Sequence, residues 1–352
     1  MALGDGIRRN VATISQEERN SLRHAITALN RDPRFVYPGQ RNDLVRDANG
    51  KIVHGAGGVT YWFKQDEIHQ ATHVHGGPAF LTWHRELCNR FEALLRGVDP
   101  QVSLHYWDWT TDPVGLFTSD FMGEAHGEAG EPWLSAGFYN PTANPFRSDN
   151  DFSTTDNPFD PPRTLERQVA GGIPNLGVSD AQIITAETFP QMRQLLESAH
   201  NVSHGYIGGT LGDAHRSFRD PFVFLLHSNV DRLFALWQLQ PGKAWRLDPE
   251  QVYGSESDTV ADNPFPRDVG ILTPMEPWAG VNAPGAESGV QLVRPWADPE
   301  NWQLLPQNQK KSKDPSVVAP PRYDTNPKHK HGTGGGDVAA DWLEPVLYVM
   351  MS

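Results

Sequence analysis

The stretch Asp220-Pro221-Phe222-Val223-Phe224-Leu225-Leu226-His227-Ser228-Asn229-Val230-Asp231-Arg232 follows His200-Asn201-Val202-Ser203-His204 after a loop that opens with Gly208-Gly209. Residues four apart on a helix lie on one face, so His200 and His204 can offer two imidazoles to one ion. His227 sits on the next apolar helix, and an antiparallel return of that helix brings it across as a third ligand. About a hundred residues upstream, His75-Gly76-Gly77-Pro78-Ala79-Phe80-Leu81-Thr82-Trp83-His84-Arg85, with His69 and His73 just ahead, makes a second such provision. Four helices facing inward would enclose two three-histidine ions, a site of the kind helix bundles build from facing side chains. No cysteine or carboxylate stands at ligand spacing in either group. Imidazole suits zinc, copper, iron and nickel, and copper(II) leads the divalent first-row series in affinity, so this donor set favours copper.

Two rivals fail on particular residues. A zinc metalloprotease needs Glu directly after the first histidine of His-x3-His as its general base, and here Asn201 occupies that place. Di-iron bundles need Glu-x-x-His pairs with bridging carboxylates, and these positions have none.

The rest of the chain bounds the reading. Its 352 residues suffice for a sizeable core, with 38% hydrophobic residues, 11 Trp and 16 Phe. The 32 Gly and 29 Pro imply much irregular connection. A net charge of −13 argues against nucleic acid or an anionic membrane surface as partner. No run approaches the length of a membrane span, and the first ten residues lack the apolar core of a secretory leader. The lone Cys88 forms no intrachain disulfide. A cytoplasmic placement is expected, with secretion without a visible leader as the alternative.

Ser15 with Glu18 three residues on forms a capping box, and Leu22, Ile26 and Leu29 continue a helical period. Further helices are predicted from Tyr61 to about Gln70, from Trp83 to Leu95, from near Thr188 to Ser203, and from Pro221 to Gln238. Residues 31–58 read as loop, and 104–109 as a short aromatic strand or turn. Residues 111–180 and those beyond 241 show no sustained period. The expected architecture is one mainly α domain over 1–352. A four-helix bundle encloses the dinuclear site, with halves at about 54–96 and 188–240, and long irregular segments including 241–352 wrap it.

Together, His-Asn-x-x-His, Asp-Pro-x-Phe-x-x-x-His, Asp-Arg-x-x-x-x-Trp-Gln, Phe-Leu-x-Trp-His-Arg and Tyr-Trp-Asp-Trp form a specific set. Over roughly residues 7–240 the chain resembles the tyrosinase and polyphenol oxidase family of type 3 copper proteins, in its bacterial or short fungal form. That family also includes the molluscan hemocyanin units. The resemblance implies that His69, His75 and His84 hold one copper ion and His200, His204 and His227 the other, with O2 as co-substrate. It implies hydroxylation of monophenols and oxidation of o-diphenols to o-quinones. Catechol or o-aminophenol oxidation alone, or oxygen carriage, are the alternatives. Small phenols are the implied partners, a copper chaperone or caddie protein a further one; the oligomeric state stays open.

Departures from the family pattern sharpen the reading. Leu226 stands where many members have a histidine before the ligand, so it should only pack. His73 stands where several members carry a thioether-forming Cys, so no thioether is expected. His73, and less so His54, remain alternatives to His69, which is preferred because it is placed to project from a helix while His73 sits two residues from His75. Glu197 and Asn201 match the pair that, in members hydroxylating monophenols, holds a proton-accepting water; an ordinary helix Glu and Asn is the competing reading. Gly205, Ala214, His215 and Arg216 fall at the expected substrate entrance, where a solvated loop is the competing reading. Asp220 and Asp231 are candidate acceptors that fix the tautomer of a ligating imidazole. His24, His105 and His126 read as structural or exposed, and His329 and His331 as part of a polar tail.

Overall fold

The computed structural model describes residues 4–30, 61–72, 74–133, 164–214, 216–254 and 310–326, six single residues between 256 and 278, and the backbone of five short strands. Helix α1 spans Gln16–Leu29, α2 Tyr61–Thr72, α3 Phe80–Val98, α4 Asp180–Thr185, α5 Phe189–Ile207, α6 Phe222–Gln238 and α7 Pro315–Val318. Strands are short: β1 Pro33–Val36, β2 Val45–Arg46, β3 Ile52–His54, β4 Gly58–Thr60, β5 His126–Glu128, β6 Phe138–Tyr139 and β7 Glu166–Gln168. They pair antiparallel as β1-β4-β6, β2-β3 and β5-β7. The molecule is mainly helical.

Local chemistry sets the helix ends. Ser15 and Glu18 close the expected capping box on α1. Thr188 caps α5, with Pro190 in the first turn where its missing N–H costs nothing. Asp220 accepts the Phe222 N–H at 2.9 Å and starts α6. Helix α6 is buried on nearly every side, as a helix apolar all round should be. It packs on α3, α4 and α5, while α3 packs on α1 and α5.

Helix α3 begins at Phe80, a turn earlier than its apolar period suggested. Parts of 31–58, expected to be loop, form short strands instead. Elements of two to four residues are too brief for a period-two pattern to register.

Several described residues beyond 241 belong to the same core. Val252, Met275, Trp278, Val317 and Val318 join the cluster formed by the helices. Val318 O accepts from Arg85 Nη1 and from Gln238 Nε2, both at 2.8 Å. Tyr323 donates its hydroxyl to Asp231 at 2.8 Å.

Candidate metal centre

His69, His75 and His84 come together, as do His200, His204 and His227; within each triad one nitrogen from each ring lies within 4.8 Å of the others. His69 projects from α2, which is clamped by the turn Ser217–Arg219. Arg219 Nε meets Asp66 at 2.8 Å, and Trp62 Nε1 donates to Arg219 O at 3.2 Å. The clamp lays the Phe218 ring over His69 with centroids 4.2 Å apart. His75 lies between α2 and α3, just before Gly76, whose φ of 77° suits glycine. His84 is one turn into α3 and donates Nδ1–H to Phe80 O at 2.7 Å. His73 and His215 lie outside the described residues, as do the tail residues His329 and His331.

In the second triad His204 donates Nδ1–H to Leu211 O at 2.8 Å, and His227 to Val223 O at 2.9 Å. His84 and His227 thus use the same device, the carbonyl four residues back on their own helix. His200 Nδ1 meets Asn201 Oδ1 at 2.9 Å. A carbonyl oxygen can only accept, so each Nδ1 carries the proton and each Nε2 presents a bare lone pair. The triads face each other: the rings of His84 and His227 stack at 4.7 Å, and those of His75 and His200 at 5.7 Å.

Three observations fit a metal. The Nε2 atoms of His84 and His204, and both ring nitrogens of His69, are buried with no hydrogen-bond partner; such orphaned groups cost about 1–3 kcal/mol each unless something meets them. The Nε2 atoms of His200 and His227 lie 3.0 Å apart, and two lone pairs at that distance repel unless a cation lies near both. Burial and then the neighbouring imidazoles hold His69, His84, His200 and His227 well below the usual histidine value, and burial brings His204 down to about 4. Neutral rings with outward lone pairs are the state a metal ion takes up.

The neighbouring candidates are placed as follows. Glu197, on α5 and nearly buried, accepts the Gly76 N–H at 2.6 Å and faces Arg193 Nη1 at 3.5 Å. Burial raises its pKa above the usual carboxylate value, opposed by Gly76 and Arg193. Gly205 and Ala214 are exposed, and a Cβ on Gly205 would meet nothing within 4 Å. Arg216 pairs with Asp213 at 2.8 Å.

Asp220 and Asp231 correct the expectation made for them. Asp220 is saturated by Arg167 (2.6 and 2.7 Å) and the Phe222 N–H, and Asp231 by Arg8, Arg85 and Tyr323. Backbone carbonyls hold His84, His204 and His227 instead, and the Asn201 side chain holds His200. Phe218 and Arg193 carry no mark in the sequence, and Phe80 stands there only as a motif residue without a role at the site. The Phe80 ring lies 4.8 Å from His84 and 5.0 Å from His200. The spacing of Phe80 four residues before His84 was the only signal available for any of them.

Residues 52–240 match the profile of the common central domain of tyrosinase. The chain belongs to the tyrosinase family. Proteins of this family use a dinuclear copper centre with O2, and each of the two triads could hold a metal ion. A tyrosinase-like protein of Caenorhabditis elegans is 28% identical over 72% of this chain and 34% of its own length. Hemocyanin 2 of Megathura crenulata is 29% identical over 77% of this chain but 7% of its own, so the chain spans only a fraction of these relatives. Grixazone synthase of Streptomyces griseus is 28% identical over 77% of this chain and 93% of its own length. Among solved structures, a variant of the polyphenol oxidase of Thermothelomyces thermophila aligns at 22% identity and a TM-score of 0.49, covering 68% of this chain and 74% of the other.

Proposed function

We propose that this tyrosinase-family protein is a copper-dependent phenol oxidase that hydroxylates monophenols to o-diphenols and oxidises o-diphenols to o-quinones with O2. Glu197 is the observation that carries the hydroxylating part, a nearly buried carboxylate hydrogen-bonded to the residue beside His75 and three residues before His200. The six imidazoles would hold two copper ions, whose redox couple supplies the electrons for reducing O2. The chain's own part is to position rings and move a proton. A phenol ionises near pH 10, so a carboxylate beside the site assists its loss of a proton. The raised pKa of Glu197 makes it a better proton acceptor than an exposed carboxylate. Phe218 and Phe80 exclude water from the imidazoles, and Gly205 and Ala214 leave the entrance free of bulk.

A second reading, oxidation of catechols or o-aminophenols alone, is favoured by the partners of Glu197. Gly76 and Arg193 both engage its carboxylate, leaving less of it for a substrate proton. Oxygen uptake by the copper-loaded protein with a monophenol, a catechol and an o-aminophenol separates these readings, and uptake with none of them favours a carrier. Glu197→Gln should lower the monophenol rate about 10²- to 10⁴-fold, the range for general-base assistance, and the catechol rate far less. Equal loss of both would assign Glu197 a structural role, and wild-type turnover of catechol alone would establish the second reading.

A further inference from the structure

Arg193 is nearly buried on α5, one turn before Glu197, and its polar partners are Gly76, Glu197 and Glu256 rather than a triad histidine. Its guanidinium reaches three ways: Nη2 to Glu256 Oε1 at 2.8 Å, Nη1 to Gly76 O at 3.3 Å, and Nη1 to Glu197 Oε2 at 3.5 Å. Glu197 in turn accepts the Gly76 N–H at 2.6 Å. Both polar groups of Gly76 are therefore held from α5, the N–H by Glu197 and the carbonyl by Arg193. Gly76 directly follows His75, the one triad member outside a helix, so ordinary helical hydrogen bonds do not fix it. Glu256 comes from the segment after α6, with side-chain exposures of 5% for Arg193 and 6% for Glu256.

We propose that Arg193, anchored by Glu256, is a positioning residue that locks the His75–Gly76 turn onto α5 and thereby fixes the His69–His75–His84 triad relative to the other. This rests on the reading of His75 as a copper ligand. Without the guanidinium, Gly76 O loses its side-chain donor and two buried carboxylates face each other without a cation. The turn then relaxes and His75 moves off its aim, whereas His200 and His204, on an intact helix, and His227 keep theirs. The lock acts on one triad only, which separates it from general stabilisation.

The experiment measures copper release to a chelator from the fully loaded full-length chain, resolving the two ions kinetically. Arg193→Met keeps the aliphatic stem, Glu256→Gln weakens the anchor, and Lys243→Met breaks the exposed Lys243–Glu187 pair as a control. In Arg193→Met one ion should leave about 10- to 100-fold faster, the range for groups that orient ligands, while the other leaves at the wild-type rate. Glu256→Gln should give a smaller effect on the same ion, and Lys243→Met none. Release of both ions at wild-type rates, or equal acceleration of both, overturns the proposal. Should Arg193→Met fail to fold, Glu256→Gln decides by the same two criteria. A wild-type chain that binds fewer than two copper ions would instead refute the underlying reading of the site.

Discussion

The imidazoles are aimed by the backbone. In His84, His204 and His227 the Nδ1–H is spent on a main-chain carbonyl, so the choice of tautomer is made by helix and loop geometry. A carboxylate in that role would add negative charge to the centre, and a carbonyl does not. This predicts that deleting one ring spares the fold. His204→Ala should bind fewer than two copper ions per chain and lose phenol oxidation, because one triad keeps only two imidazoles. The metal-free variant should melt within a few degrees of the metal-free wild type, since the deletion removes an orphaned Nε2 as well as a ring. Metal analysis and thermal melting check this, and full copper loading in His204→Ala would exclude it as a ligand. His69 differs: with both nitrogens unpartnered, its place rests on the Phe218 ring and the Asp66–Arg219 clamp.

At the scale of elements, ion pairs far apart in sequence hold the ligand-bearing helices. Asp220 at the head of α6 and Arg167 on β7 are both fully buried and meet through two hydrogen bonds of 2.6 and 2.7 Å. Breaking one side of such a pair strands a charge, so Asp220→Asn should lower the unfolding free energy by about 3–5 kcal/mol. Arg167→Met with Asp220→Asn should lose less than the sum of the two singles. Denaturant titration of the three variants tests this, and strictly additive losses would show the pair to be uncoupled. Gly209 fits the same junction: its φ is 55°, and a Cβ there would run into the Glu166 carbonyl beside Arg167. The sequence made α1, α2, α5 and α6 legible through capping residues and apolar period, and both histidine groups through their spacing. It could not assign partners to Asp220 or Asp231, because the arginines that claim them lie 53, 146 and 223 residues away. Starting α3 at Trp83 also hid Phe80, and with it the carbonyl that orients His84. Phe218 escaped for a different reason: its turn packs on α2 through Arg219, and no local pattern announces that contact.

Across the whole molecule, the N-terminal segment, the strip around 105 and the segment at 323–324 knit together beside the bundle. Arg8 N–H donates to Arg322 O at 2.9 Å, Tyr106 N–H to Arg9 O at 2.9 Å, and Asp324 N–H to Arg8 O at 2.9 Å. His105 lies in this seam and is nearly inaccessible to water. Its Nδ1 accepts the Arg9 N–H at 3.3 Å, so the ring is held neutral. Burial brings its pKa down to about 4, against Glu18, Glu92 and Asp324, which raise it, and with Arg9, which lowers it further. The sign of the pH effect follows. Below the unfolded value of about 6.5 the unfolded chain takes up a proton that the folded chain refuses. The contribution of His105 is therefore complete above that pH and is lost progressively as pH falls toward 4, reaching about 3 kcal/mol. The five triad histidines that burial holds low, His69, His84, His200, His204 and His227, would add to any such loss in the metal-free protein, and copper, which competes with protons for the same nitrogens, should remove their share. Copper-loaded protein thus isolates the seam. His105→Asn, which keeps an acceptor near the Arg9 N–H but does not titrate, should flatten the fall in melting temperature between pH 7 and about pH 4.5. An unchanged slope in that variant would mean that the seam admits a proton at His105 without opening.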